Sequence, residues 1–297
     1  MNTVAFIGLG AMGAGMAANL ARAKVPVIAY DLSTAALDKA RAVGCRTAGG
    51  AGEAVAQADT VITMLPAGQH VRAVFAEAIA NHAKPGALMI DCSTIDVESA
   101  RAVAEQAAAQ GLRFADAPVS GGVAAADAGT LTFMVGCAEA DFATVEAALA
   151  PMAKAVIRAG APGAGQSAKI CNNMLLGISM LGVAEAFALA EKLELAPERF
   201  FEIASVSSGQ CWSLTSYCPW PGPVPTAPSN RGYEGGFLAA LMLKDLKLAQ
   251  AAAAASGATT PLGAQAEALY ALFDRLGFGG RDFSAVLQLM RGRLDTL

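Results

Sequence analysis

Met1-Asn2-Thr3-Val4-Ala5-Phe6-Ile7 runs into Gly8-Leu9-Gly10-Ala11-Met12-Gly13, and the order of those two pieces decides the fold. The first reads as a short buried strand and the second as a glycine-rich turn. An Ala-rich helical stretch follows to about Ala23, then a second apolar strand, Val25 to Tyr30, that stops on Asp31. This is a βαβ unit with G-x-G-x-x-G at the strand-to-helix turn and an acid closing the second strand. Gly8 permits the tight turn, Gly10 lets backbone approach a pyrophosphate, and Gly13 lets helix and strand pack closely. The helix N-terminus, reached through Leu9, Ala11 and Met12, offers N–H groups and a positive dipole end to phosphate.

Asp31 bears on which dinucleotide binds. A carboxylate there accepts from ribose hydroxyls and repels a 2′-phosphate, and Leu32-Ser33-Thr34 holds no cation to receive one, so NAD is expected rather than NADP. The alternative is that Asp31 only caps the next helix. Ser33 can do that itself, which leaves Asp31 for the ribose.

Outward from this unit the alternation continues. Helices are expected near 33–43, 51–57, 69–80, 95–109 and 139–149. Strands are expected at 45–48, 60–65, 87–92, 113–117, 130–135 and 155–158. That rhythm implies a mostly parallel sheet covered on both faces, extended late by strands of mixed direction. Near Pro162 it stops. Gly165 to about Leu193 reads as one helix, ~40 Å long at 1.5 Å per residue. The rest of the chain reads as helical apart from a Pro- and Gly-dense loop from Cys218 to Gly236. The expected architecture is an α/β N-terminal Rossmann-type doubly wound sheet over residues 1–162, with an all-α C-terminal domain over 163–297 led by a long interdomain helix.

Composition narrows the function classes. The chain has 297 residues, 55% hydrophobic and 15% charged, with a net charge of −4 and no basic block, which argues against nucleic acid. No apolar run of membrane-spanning length stands clear of glycine and charge, so no membrane span is expected. Six scattered cysteines and two histidines make a zinc site improbable and point to reduced thiols. With no leader evident ahead of the first strand, a bacterial cytoplasm is expected.

In a doubly wound sheet, ligands bind beyond the carboxyl ends of the strands. Leu65 and Pro66 follow one strand, and Ser93 and Thr94 the next. The plain alternative is that Ser93 or Thr94 caps helix 95–109, with Glu98 in a capping box. After strand 113–117 comes Ser120-Gly121-Gly122, whose consecutive N–H groups and hydroxyl can cradle a carboxylate; an ordinary tight turn reads equally well. On the long helix, Gly165, Lys169 and Asn173 recur four apart on one face amid Ala168, Ile170, Met174 and Leu175. A lysine there is a candidate acid/base, against the alternative of a snorkelling side chain. Lys244-Asp245 interrupts an apolar stretch and otherwise reads as a surface ion pair.

These segments together resemble the β-hydroxyacid dehydrogenases. Phe6 to Gly13 is similar to the family's cofactor motif, Asp116 to Gly122 to its substrate motif, Gly165 to Asn173 to its catalytic motif, and Lys244-Asp245-Leu246 to its late cofactor motif. The four stand in order over nearly the whole chain, with no departure at the motif positions. The loop from Trp220 to Phe237 resembles the branch acting on 3-hydroxyisobutyrate rather than those acting on tartronate semialdehyde, succinic semialdehyde or 6-phosphogluconate. The resemblance implies an NAD-dependent oxidation of a small β-hydroxy acid. Lys169 would be the general acid/base. Ser120, Gly121, Gly122 and Asn173 would hold the substrate, with Trp212 and Phe237 as pocket walls. Thr94, Lys244, Leu65 and Pro66 would contact the nicotinamide end of the cofactor. It also implies a homodimer or homotetramer. A free lysine titrates near about 10.4, so an alkaline optimum for oxidation is expected.

Three rivals remain. One is a sister enzyme such as a semialdehyde reductase or L-serine dehydrogenase. A second is a non-enzymatic dinucleotide sensor, against which Lys169 argues. The third is a short-chain dehydrogenase, disfavoured because no Tyr-x-x-x-Lys stands in the first half.

Overall fold

The computed structural model describes residues 2–297; Met1, part of the expected first strand, lies outside the described residues. The chain divides into two compact units, Met1–Lys169 and Ile170–Leu297.

The first unit opens β1 (Val4–Ile7), α1 (Gly13–Arg22), β2 (Val27–Tyr30), α2 (Thr34–Ala42), β3 (Arg46–Thr47), α3 (Ala51–Ala56) and β4 (Thr60–Thr63). α4 (Gly68–Val74) then passes through a π-helical turn, Phe75–Ile79, into the short α5 (Ala80–His82). β5 (Leu88–Asp91), α6 (Val97–Ala109), β6 (Arg113–Asp116), β7 (Val119–Ser120), α7 (Gly122–Ala128), β8 (Leu131–Cys137), α8 (Phe142–Leu149) and β9 (Ala153–Gly160) follow. The strands form one sheet in the order β3-β2-β1-β4-β5-β6-β8-β7, with β9 also paired to β8. From β3 to β6 every pair is parallel; β8 runs antiparallel to β6 and β7 and parallel to β9.

Alternation along each strand sends side chains to opposite faces. Val4 and Phe6 enter one core with Met16 and Leu20 of α1. Ala5 and Ile7 enter the other with Val71, Phe75 and Val103. Both faces are buried, which is why these strands read as unbroken apolar runs rather than alternating ones.

α9 (Ala164–Lys192) is the long helix, 29 residues, and the division between the two compact units falls within it, after Lys169. Its most apolar 18-residue window has a mean hydropathy of 1.6, enough to cross a membrane by length and composition alone, although Gly177, Gly182 and Glu185 interrupt its apolar run. Met180, Ala184 and Phe187 are nevertheless fully buried in the core of the second unit. That core is completed from α10 (Pro197–Ser205), α11 (Trp212–Thr215), α12 (Ala239–Ser256), α13 (Pro261–Phe273) and α14 (Val286–Arg291).

Two local readings are corrected. Neither Ser93 nor Thr94 caps α6: the N-cap is Asp96, whose Oδ1 accepts from the Ser99 N–H at 2.7 Å. The Ser120-Gly121-Gly122 segment is not an isolated turn either, because Gly122 opens α7.

Candidate functional site

The site of the first unit gathers where β1, β4, β5 and β6 end, the point at which the sheet order reverses between β1 and β4. Gly8 has φ +97°, and a Cβ there would fall against the Met64 carbonyl oxygen at the end of β4. A Cβ on Gly13 would strike the Gly8 carbonyl oxygen. These two glycines are needed by the protein's own packing. Gly10 differs: no other part of the chain lies within 4 Å of where its Cβ would stand. The space over Gly10 is therefore open to a ligand, as a pyrophosphate cradle requires. α1 begins beside it with no acidic residue in its first turn and no side-chain cap, so its positive end faces no anion from its own sequence.

At the other edge of this loop stands Asp31. Its Oδ2 accepts from the Leu9 N–H at 2.6 Å and its Oδ1 from the Ser33 N–H at 2.8 Å. Ser33 does cap α2, through Oγ to the Ala36 N–H at 3.3 Å. The carboxylate is thus engaged by backbone rather than idle, and each oxygen keeps a further lone pair for ribose hydroxyls. Asp31 borders a cleft of about 390 Å³ whose walls include Tyr30, Thr34, Arg41 and Thr47. Arg41 brings a cation to this wall from beyond residues 32–34. Its Nε donates to Thr47 Oγ1 at 2.8 Å, and its guanidinium pairs with Asp38.

Leu65 and Ser93 are brought together, since the Leu65 N–H donates to Ser93 Oγ at 2.8 Å. Ser93 Oγ in turn donates to Asp91 Oδ1 at 2.6 Å, which also accepts from Thr63 Oγ1 at 2.7 Å. Asp91 and Asp116 are register partners on β5 and β6, both fully buried. Burial is the first cause that pushes each carboxyl up to about 6. Oδ2 of Asp91 has no hydrogen-bond partner. Asp116 accepts from the Gly163 N–H at 2.6 Å and the Gln166 N–H at 2.8 Å, fastening the start of α9. Lys169 lies one turn beyond Gln166 and is buried, 7% exposed. Asp91, Asp116 and Gln166 went unassigned from sequence; a buried acid at a strand end was the only available signal.

In the second unit, Asn173 donates through Nδ2 to Asp245 Oδ2 at 2.5 Å and accepts at Oδ1 from Asn172. Lys244 and Asp245 are not a plain surface pair. Asp245 is 3% exposed, and its Oδ1 lies 3.7 Å from Lys244 Nζ. Trp212 and Phe237 belong to one aromatic group. Trp212 stacks on Tyr217 at 5.0 Å, and Phe237 meets Phe283 edge-on at 5.7 Å. Asp282 ties them, accepting at Oδ2 from the Tyr217 hydroxyl and the Phe237 N–H, both at 2.8 Å. Neither Tyr217 nor Asp282 was foreseen, since they stand 65 residues apart.

Residues 3–160 match the family model described as the NAD binding domain of 6-phosphogluconate dehydrogenase. Residues 163–290 match that described as NAD-binding of NADP-dependent 3-hydroxyisobutyrate dehydrogenase. The 3-hydroxyisobutyrate dehydrogenase of Pseudomonas aeruginosa is 48% identical over 99% of this chain and 100% of its own length. The chain belongs to the β-hydroxyacid dehydrogenase family. It is an NAD(P)-binding oxidoreductase with the Rossmann-type sheet and helical second part of that family. A second P. aeruginosa protein, named NAD-dependent L-serine dehydrogenase, is 47% identical over 97% of this chain and 98% of its own. The structure of the Mycobacterium tuberculosis 3-hydroxyisobutyrate dehydrogenase with L-serine superposes with a TM-score of 0.95 at 48% identity, covering 98% of this chain and 99% of that one.

Proposed function

We propose that this dehydrogenase oxidises 3-hydroxyisobutyrate to methylmalonate semialdehyde with NAD, a step of valine breakdown. The observation that carries the reading is a buried lysine, Lys169, one turn beyond a helix start fastened to the sheet that bears the dinucleotide loop. The names of the 43–48% identical relatives support the substrate.

Residues 1–162 form the NAD-binding domain in this reading, and 163–297 the substrate and oligomerisation domain. The turn from Gly8 to Gly13 and the first turn of α1 take the pyrophosphate. Asp31 takes the adenosine ribose. Leu65, Pro66, Thr94 and Lys244 attend the nicotinamide end. NAD, when bound, supplies the hydride acceptor. Lys169 Nζ receives the hydroxyl proton of the substrate and returns it in the reverse direction. Ser120, Gly121, Gly122 and Asn173 hold the carboxylate and hydroxyl, and Trp212 and Phe237 shape the apolar wall. Asp31 favours NAD even though one matched model is described by an NADP-dependent enzyme. Arg41, the cation on the cleft wall, is already engaged by Asp38 and Thr47.

The alternative is a sister activity on a related β-hydroxy acid, L-serine above all, which the 47% identical relative favours. A bacterial cytoplasmic homodimer or homotetramer completes the proposal. All six cysteines are free thiols, as a reducing compartment allows. Leu175 and Leu189 on α9, and Leu193 just past its end, are more than half exposed, as a subunit contact would use.

Lys169→Ala tests the chemistry. The reading expects turnover to fall about 10²- to 10⁴-fold with NAD affinity unchanged. Near-normal turnover would remove Lys169 from the acid/base role.

A further inference from the structure

One side chain, Gln166, turns both ends of its amide to a loop 71 to 73 residues away. Its Nε2 donates to the Ser93 carbonyl oxygen at 2.7 Å, and its Oε1 accepts from the Ile95 N–H at 3.1 Å. Those two partners flank Thr94. Gln166 is fully buried, so neither bond has water as a substitute. The residue is itself held from behind, its N–H donating to Asp116 Oδ2 at 2.8 Å. Lys169 follows three positions later, on the same side of the helix.

We propose that Gln166 is a positioning residue that fixes Thr94 against the turn of α9 carrying Lys169. The chemistry of the side chain argues for this specific job. The backbone flanking Thr94 offers one acceptor and one donor, and a primary amide returns one of each from a single planar group at any pH. Glutamate would set a carboxylate oxygen against the Ser93 carbonyl. Asparagine is one methylene too short to reach both. Packing the helix on the sheet would need only an apolar side chain of this volume, such as methionine. An amide bridging both sides of Thr94 therefore points beyond packing. The inference rests on the proposed roles of Thr94 and Lys169.

Gln166→Met keeps the volume and removes both bonds. Turnover is measured per NADH-binding site, on whichever substrate the wild-type enzyme oxidises best, so misfolded protein is not counted. The expected result is a fall on the order of 10²-fold in kcat, as for a small misplacement of reacting groups, with NADH affinity kept within about threefold. Unchanged kcat per binding site would overturn the positioning role. A double-mutant cycle with Thr94→Ala separates it from a general loosening. If Gln166 acts through Thr94, Gln166→Met costs much less in the Thr94→Ala background. Fully multiplicative losses would refute that route. Failure of the wild-type enzyme to oxidise any β-hydroxy acid would instead sink the proposed function.

Discussion

The Leu9 N–H donates a 2.6 Å hydrogen bond to Oδ2 of Asp31, joining the middle of the glycine turn to the end of the second strand. One carboxylate thus shapes the glycine loop and, in the proposed reading, also holds the ribose. Replacing it has two effects, which can be separated. Asp31→Ser with Leu32→Arg removes the anion and supplies a cation at a position 91% exposed, where a long side chain has room. The ratio of kcat/KM for NADP over NAD is expected to rise by at least about tenfold, equivalent to ~1.4 kcal/mol. An unchanged ratio would refute the ribose role.

The glycines of the turn divide by what their missing side chains would meet. Gly13→Ala forces a methyl against the Gly8 carbonyl, and overpacking of this kind costs about 1–3 kcal/mol. Gly10→Ala meets no other part of the chain, so its stability should stay within about 0.5 kcal/mol of wild type. Its NAD affinity should nonetheless fall. Thermal melts with and without NAD check both. Equal NAD affinity in Gly10→Ala and wild type would contradict the pyrophosphate assignment.

Asp91 links stability to pH. Its carboxyl is pushed up to about 6, above the ordinary value near 3.8, chiefly by burial. A group whose folded pKa is raised binds more protons in the native state, so its favourable contribution is full below about pH 3.9 and is lost as pH climbs through about 6. Asp91→Asn keeps an oxygen to accept from Ser93 and Thr63 and replaces an Oδ2 that has no partner to lose. The melting temperature of Asp91→Asn minus that of wild type should therefore be larger at pH 8 than at pH 5. A difference independent of pH would show that the ionisation carries no cost.

Tyr217 and Asp282 brace the aromatic wall. Tyr217→Phe removes a charge-assisted hydrogen bond from a carboxylate held above its ordinary pKa, first by burial. The expected cost is about 1–3 kcal/mol in urea unfolding. Because the same oxygen receives the Phe237 N–H, KM for substrate should rise while that for NAD holds. If the two KM values move together, Phe237 does not line the substrate pocket.

What the sequence made legible was local. The β1-α1-β2 unit could be read because strand, turn, helix and acid lie within thirty-one residues, each with its own periodicity or turn chemistry. Lys169 stood out because a charge on an apolar helical face breaks a pattern, and it is buried. The supporting residues did not stand out. Asp91 and Asp116 become a pair only when β5 and β6 align. Gln166 has meaning only once α9 meets the loop after β5, and Asp96 outcompeted Ser93 and Thr94 as cap because both lie too early in the chain to reach the first free N–H groups of α6. Contacts of this range follow from tertiary packing, to which no local pattern points.

The 47–48% identical relatives divide by name between 3-hydroxyisobutyrate and L-serine. The direct measurement is NADH formation by the purified protein with (S)- and (R)-3-hydroxyisobutyrate, 3-hydroxypropionate, L-serine, glycerate and 4-hydroxybutyrate. The highest kcat/KM is expected for a 3-hydroxyisobutyrate enantiomer. A higher value for L-serine or any other member of the panel would contradict it, leaving the fold, the dinucleotide site and Lys169 in place but assigning the chain to a sister activity.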